Sequence, residues 1–242
     1  MPRMKIQQIR ASGLIVAAGA SRRMGFDKAT AILAGRPLVE WSLSAFESCD
    51  DIGTCALVCA ESRVDEFAGI AAPYKKFRLI VPGGSERSDS VRNGLDALES
   101  CAPALVAVHD AARPLVTPEL ISRVVAAAAE WGAAVASEPV SDSLHRAAGA
   151  GHLVETVPRE GLWAMQTPQV ASLAALREAL ESVRKSGQPV TDEISALIRH
   201  GLRPRTVFHG SLNFKVTFPR DLAMAEAVLA SYPASSPGGC SS

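Results

Sequence analysis

The sequence predicts an α/β fold: a mainly parallel sheet with helices on both faces and one projecting β-arm. Three observations lead there. Short apolar, β-rich runs alternate with helical stretches, the pattern that crossover connections between parallel strands produce. Between residues 139 and 169 this alternation lapses into a polar stretch carrying Gly149, Gly151 and Gly161, with Leu153, Val154 and Val157 suggesting short strands of a hairpin. The 242 residues, 48% hydrophobic and 21% charged, suffice for a large domain with a substantial core.

The elements follow in order. Residues 13–17, Gly-Leu-Ile-Val-Ala, make a first strand that runs straight into a glycine-containing loop. Pro37 opens a helix through Phe46, since proline is tolerated in a first turn. Strands are expected over 54–59 and 77–81, and a helix over 88–98 with Val91, Leu95 and Leu98 on one face. A strand over 104–108 ends at His109-Asp110. Thr117-Pro118-Glu119 reads as an N-cap with proline at the first helical position, and that helix runs to Trp131. Residues 133–136 read as a strand, and Thr191 as the cap of a helix that stops at Gly201. Residues 213–217 look strand-like, and 219–229 form the last helix. Ligands of such sheets gather beyond the C-terminal strand ends, so the loops after Val16, Val81 and Val108 should share one rim.

Composition narrows the function. Lys plus Arg and Asp plus Glu each number 25, so no global field favours nucleic acid or an anionic membrane. The first twelve residues are polar and basic and lack the apolar core of a secretory signal, and no apolar run approaches the length of a bilayer span. A cytoplasmic protein is expected. Cys49, Cys55, Cys59, Cys101 and Cys240 are odd in number and show no CxxC spacing, which reads as free thiols in a reducing compartment. One domain is expected over 1–232, with the arm at about 139–169, and the Ser/Pro/Gly-rich residues 233–242 form a disordered tail.

Four segments could carry chemistry. The loop from Ala17 to Lys28 combines small residues, whose successive N–H groups can cradle phosphates, with the cations Arg22, Arg23 and Lys28. It is neither a Walker A loop nor GxGxxG. In His109-Asp110-Ala111-Ala112-Arg113, Asp110 can hold Mg²⁺ or a ribose hydroxyl and Arg113 can face an anion, or the two can pair to brace a turn. His109 lacks a nucleophile partner and reads as structural. Gly83-Gly84 allows close backbone approach, and Ser88 or Ser90 can cap the adjoining helix. Lys215, in an apolar run, either meets an anion or snorkels to solvent.

In family order, the segments AAGxSxRMG with a following lysine, GGSERSDSV, VHDAARP, GLWAMQTPQ, TDE and NFKVT resemble those of the 2-C-methyl-D-erythritol 4-phosphate cytidylyltransferases, from about residue 14 to about 229. The resemblance implies a Rossmann-like nucleotidyltransferase domain whose arms interlock in a homodimer. It implies CTP with Mg²⁺ over the first loop, and attack by the acceptor phosphate on the α-phosphorus with loss of pyrophosphate. Carried over residue by residue, Arg23 and Lys28 hold the triphosphate and stabilise the transition state, and Lys215 lies beside the α-phosphate. Ala17, Ala18, Gly19, Gly84 and Ser90 surround cytosine and ribose. Asp110 and Arg113 meet ribose and the methylerythritol moiety. On the arm, Arg159 and Thr167 bind the acceptor phosphate, with Arg159 reaching across from the partner subunit, and Asp142 lies near the acceptor.

Two positions depart from the family's pattern: Asp27 stands where proline is common, and Ser143 where threonine is common. The related ribitol 5-phosphate cytidylyltransferases share the first loop and HDAARP, and the arm segment with Arg159 favours methylerythritol phosphate over ribitol phosphate. A non-catalytic nucleotide-binding protein on the same scaffold is the alternative from another class.

Overall fold

A computed structural model describes residues 11–19 and 28–231. Arg23 and most of the first loop, the N-terminal segment, Cys240 and the expected tail at 233–242 lie outside the described residues.

Seven strands form the central sheet, and their burial patterns explain its layers. These are β1 (Ala11–Val16), β4 (Ile52–Cys59), β5 (Phe77–Pro82), β6 (Leu105–Asp110), β7 (Ala133–Pro139), β10 (Trp163–Ser172) and β11 (Arg205–Val207). Their order is β11-β7-β10-β6-β1-β4-β5, with β10 antiparallel to both neighbours and every other pairing parallel. The central strands are apolar on both faces, as a sheet covered on both sides requires. Successive side chains alternate sides. Ile15, Leu57 and Ala107 pack with α1 (Leu38–Ser48), α2 (Val64–Ala71) and α4 (Pro118–Trp131). Leu14, Val58 and Val106 pack with α3 (Arg87–Leu98), α5 (Leu173–Ser186) and α6 (Glu193–Arg199).

A third, smaller core lies at one end. It joins the hairpin of β2 (Ile32–Leu33) and β3 (Arg36–Pro37) to Val216 and to α7 (Pro219–Ser231) through Leu33, Leu38, Leu115 and Ala225. This cluster brings the chain just after Lys28 against the chain just after Lys215. The arm is a separate two-stranded hairpin of β8 (Leu144–Ala147) and β9 (Leu153–Val157).

Local chemistry explains the helix ends. Thr117 accepts from Leu120 N–H at 3.2 Å and Pro118 opens α4, as expected from the sequence, and Gly132 closes the helix at φ 84°. Several expectations are corrected. Pro37 precedes α1 as its cap position and pairs in the β2–β3 hairpin instead of opening the helix. Asp192, not Thr191, caps α6, accepting from Ser195 N–H at 2.9 Å, and the helix ends at Arg199. Residues 213–217 form no strand; the segment is held by side chains and by Val216 N–H donating to Ala112 O at 2.8 Å. The arm is shorter than 139–169, because 133–139 and 163–172 belong to the main sheet. The helices α2 and α5 and the strand β11 are additions to the sequence reading. No described helix is long and apolar enough to cross a membrane.

Candidate active site

Strand register builds the rim. Val16 lies opposite both Val58 and Asp110, and Val58 lies opposite Val81, so four strands end at one level. The backbone continues this alignment: Ala17 N–H donates to Val58 O at 2.7 Å, Ala111 N–H to Val16 O at 3.0 Å, and Gly83 N–H to Cys59 O at 2.7 Å. The loops after Val16, Val81 and Val108 therefore do meet.

Small residues are required where they meet. A Cβ on Gly83 would lie 2.5 Å from the Ala18 Cβ and 2.9 Å from the Ser90 Oγ. One on Gly84 would lie 2.3 Å from the Asp89 Cβ. Ser90 is buried beneath this contact, accepting from Gly84 N–H at 3.1 Å and donating to Glu86 O at 3.2 Å. It shapes the loop and does not cap α3. Glu86 is the cap, in a capping box with Asp89. Ala17 is buried while Gly19 is exposed, so the chain moves outward from the sheet between these two residues.

A chain of four charges crosses the rim. Lys215 Nζ donates to Asp110 Oδ2 at 2.7 Å. Asp110 Oδ1 accepts from Arg87 Nε at 3.0 Å and Nη2 at 2.9 Å. Arg87 Nη1 and Nη2 reach the two oxygens of Glu193 at 2.6 and 3.0 Å. Burial alone would raise the Asp110 pKa, but the Arg87 and Lys215 charges outweigh it and hold the carboxyl well below the usual range. Burial would also discharge Arg87, and the two carboxylates keep it protonated. Burial pushes the Glu193 carboxyl upward, against the pull of Arg87. The brace considered between Asp110 and Arg113 is replaced by these longer-range pairs. Lys215 meets an anion rather than simply extending into solvent.

Beneath this chain lies a neutral layer. His109 is buried, and burial lowers its pKa to about 3. Its Nε2 lies 3.2 Å from Arg113 O, an atom that can only accept, so the proton sits on Nε2. Nδ1 then accepts from the Thr167 hydroxyl at 2.9 Å, and that hydroxyl accepts from Asp110 N–H at 3.1 Å. His109 is thus structural, as its sequence context suggests. Arg113 fixes the neighbouring loop, donating from Nη1 to Asn213 O at 2.8 Å and from Nη2 to Met165 O at 3.5 Å. Asn213 Nδ2 donates to Thr167 O at 2.8 Å. These bonds tie residues 213–217 to β10 and so aim Lys215 at Asp110.

Lys28 opens a short 3₁₀ turn at the same end, its Nζ 3.4 Å from Val216 O. Thr30 on that turn accepts from Arg63 Nη2 at 3.0 Å, which anchors it to the end of β4. The residues assigned to the arm divide. Thr167 sits in β10 of the main sheet, buried beside Asp110. Arg159 and Asp142 are exposed, and the Arg159 guanidinium donates to Ser141 O at the arm's own base.

Arg87, Glu193, Asn213 and Gln169 were not singled out by sequence. Arg87 and Glu193 lie inside the segments GGSERSDSV and TDE, where their charges were the available signal. Their pairing is tertiary, over a separation of 106 residues.

Among the described residues, no group of three or more His, Cys, Asp or Glu could hold a metal. Asp110 is a carboxylate on the rim, and each of its oxygens already accepts from a cation. Among the described residues, that donor set suits a divalent ion carried by phosphate oxygens, with Asp110 as a candidate protein ligand.

A mainly parallel, Rossmann-like sheet with close-packed glycine loops and lysines on its C-terminal rim defines a nucleotidyltransferase of the α/β class. The chain belongs to the 2-C-methyl-D-erythritol 4-phosphate cytidylyltransferase family, whose profile matches residues 12–231. It is 42% identical to the 2-C-methyl-D-erythritol 4-phosphate cytidylyltransferase of Cupriavidus pinatubonensis, over 94% of this chain and 97% of that one. Among solved structures it resembles the cytidylyltransferase of the same name from Thermus thermophilus, at 35% identity and TM-score 0.74 over 91% of this chain and 99% of that one. It also resembles the 4-diphosphocytidyl-2C-methyl-D-erythritol synthase of Anaerococcus prevotii, at 25% identity and TM-score 0.81 over 93% and 98% of the two chains.

Proposed function

We propose that this chain transfers the cytidylyl group of CTP to 2-C-methyl-D-erythritol 4-phosphate, yielding 4-diphosphocytidyl-2-C-methyl-D-erythritol and pyrophosphate in isoprenoid precursor synthesis. Family membership supports the reaction. The observation that carries the reading is the meeting of the Lys28 turn and the Lys215 segment at one sheet end, beside the Gly83–Ala18 contact.

The attacking phosphate oxygen is already ionised near neutral pH, so no general base is needed. It bonds to the α-phosphorus in line as the bond to the bridging oxygen breaks, and pyrophosphate leaves with that electron pair. Negative charge from two phosphates converges there, and Arg23, Lys28 and Lys215 offset it. Ala17, Ala18, Gly19, Gly84 and Ser90 form the cytosine and ribose side. Asp110 retains one lone-pair site, on Oδ2, for a ribose or acceptor hydroxyl, and Arg113 keeps its loop in place. Mg²⁺ bound with the triphosphate would neutralise part of its charge.

The acceptor phosphate is held by Arg159 of the arm, with Asp142 and Thr167 nearby, and Arg159 acts across a homodimer. The enzyme works in the cytoplasm.

The test is an acceptor panel. The enzyme is incubated with CTP, Mg²⁺ and either methylerythritol phosphate or ribitol 5-phosphate, and pyrophosphate is followed. Preference for methylerythritol phosphate, and for CTP over ATP, GTP and UTP, is expected. Preference for ribitol phosphate, or no pyrophosphate with any pair, overturns the assignment.

A further inference from the structure

Glu193 is one of the least exposed charged side chains described, at 1%. It holds no place in the transfer chemistry given above. Burying a carboxylate costs several kcal/mol unless partners offset it, and an apolar side chain can anchor a helix at least as well. The fold nevertheless fixes this carboxylate with care. Gln169 of β10 accepts from Ile194 N–H at 3.0 Å and donates to Asp192 Oδ2 at 3.0 Å, latching the start of α6 to the sheet. Glu193 is thereby aimed at Arg87.

The geometry of Arg87 sets how Asp110 is oriented. Arginine prefers to meet a carboxylate through two parallel hydrogen bonds, one to each oxygen. Glu193 occupies the Nη1–Nη2 edge in that way. Asp110 is left the Nε–Nη2 edge, and both of those bonds fall on the single oxygen Oδ1. Oδ2 therefore remains for Lys215, whose Nζ is 2.7 Å away. Without the negative charge of Glu193, Arg87 could turn and take both Asp110 oxygens, and Lys215 would lose its fixed partner.

We propose that Glu193 is a positioning residue for the transfer reaction: by occupying one edge of Arg87 it orients the Asp110 carboxylate and, through it, the Lys215 ammonium. The proposal rests on the reading of Lys215 as a group beside the reacting phosphates.

The experiment is a double-mutant cycle in the full-length enzyme with CTP, Mg²⁺ and methylerythritol phosphate. It uses Glu193→Gln, Lys215→Ala and the pair, with melting temperatures measured alongside. Glu193→Gln is expected to lower kcat at least ~10-fold with the CTP KM changed less than ~3-fold, and to cost less than ~3-fold more in the Lys215→Ala background. Glu193→Asp, which keeps the charge, should recover part of the loss. A loss of equal size in both backgrounds would mark Glu193 as a support for the fold only, and normal kcat in Glu193→Gln would remove it from the mechanism. Should Glu193→Gln fail to fold, Arg87→Lys replaces it in the same cycle, with additivity again counting against the proposal. If Lys215→Ala alone turns over normally, the reading of the site fails first, and the Glu193 proposal falls with it.

Discussion

Asp110 and Lys215 are 105 residues apart in sequence and form an ion pair of 2.7 Å at the end of the central sheet. The pair is coupled to Arg87 on the other carboxylate oxygen, so Asp110 is the shared centre of two cations. Asp110→Asn keeps the shape and one acceptor but removes that charge. Arg87 retains Glu193, and Lys215 is about a third exposed and can reach solvent, which limits the penalty. Urea denaturation should show a loss of ~1–3 kcal/mol, below the cost of breaking a fully buried pair. Turnover should fall at least ~10-fold as Lys215 loses its fixed position. Unchanged turnover in the Asp110→Asn enzyme would show that Asp110 neither orients Lys215 nor meets a substrate.

The junction of the first two loops permits a paired test. Gly83→Ala places a methyl against the Ala18 Cβ, an atom fixed directly to the backbone, so the loops must part. Overpacking of this kind costs ~1–3 kcal/mol, and the CTP KM should rise as the loops open. Gly19, with nothing among the described residues within 4 Å of an added Cβ, is the control for stability: Gly19→Ala should change it by less than ~0.5 kcal/mol. Any loss of activity in Gly19→Ala would then report backbone approach to the nucleotide. Equal melting temperatures for Gly83→Ala and the parent would refute the steric account.

Where sequence chemistry is local, the fold was legible. The Thr117 cap and Pro118 place the start of α4 correctly, because each acts within one turn of its own residue. The strand near 54–59 follows from an apolar run that is buried along most of its length, and the one near 77–81 from a shorter apolar run that forms the half-buried edge of the sheet. Neighbouring residues of similar chemistry were harder to separate. Thr191 and Asp192 can both cap a helix, and the choice falls to Asp192, whose other oxygen is held by Gln169. The alternation in Asn213-Phe214-Lys215-Val216-Thr217 looks strand-like because Phe214 and Val216 face the end core while Asn213 and Lys215 turn to the site, yet no neighbouring strand among the described residues pairs with it. The rim itself was readable from strand ends. Its wiring was not, since Arg87 finds Asp110 and Glu193 only once three separate elements have packed.

Acid stability should depend on His109. An unfolded histidine binds a proton below about 6.5, whereas the buried imidazole resists protonation until about 3. As pH falls through that window, the unfolded state takes up the proton and the folded state does not, so stability is full above 6.5 and declines below it. The slope is at most ~1.4 kcal/mol per pH unit for one such group. His209, whose pKa burial also lowers, adds in the same direction. Carboxylates dominate nearer pH 4, so the informative range is about pH 6.5 to 5. Unfolding free energy measured there for His109→Gln should fall less steeply than for the parent. Parallel curves would mean that His109 takes up its proton equally in the folded and unfolded states.

The arm offers the sharpest test of the proposed dimer. Arg159 is exposed and bonds to Ser141 at the base of its own hairpin, and the proposed dimer would bring it to the acceptor phosphate of a second copy. Arg159→Ala and Lys28→Ala should each lower turnover, the latter by at least ~100-fold for a lost charge contact in the transition state, and Arg23→Ala likewise. If Arg159 acts in trans, a mixed dimer made by co-refolding the Arg159→Ala and Lys28→Ala chains has one site with both changes and one site with neither. About half of the mixed dimers' sites should then be restored if Arg159 acts in trans, giving activity well above the sum of the separate parents. If Arg159 serves its own chain, every site in the mixture keeps one defect, and activity stays at that sum. Tandem purification on two different affinity tags isolates the mixed species before assay and so distinguishes a failure to mix.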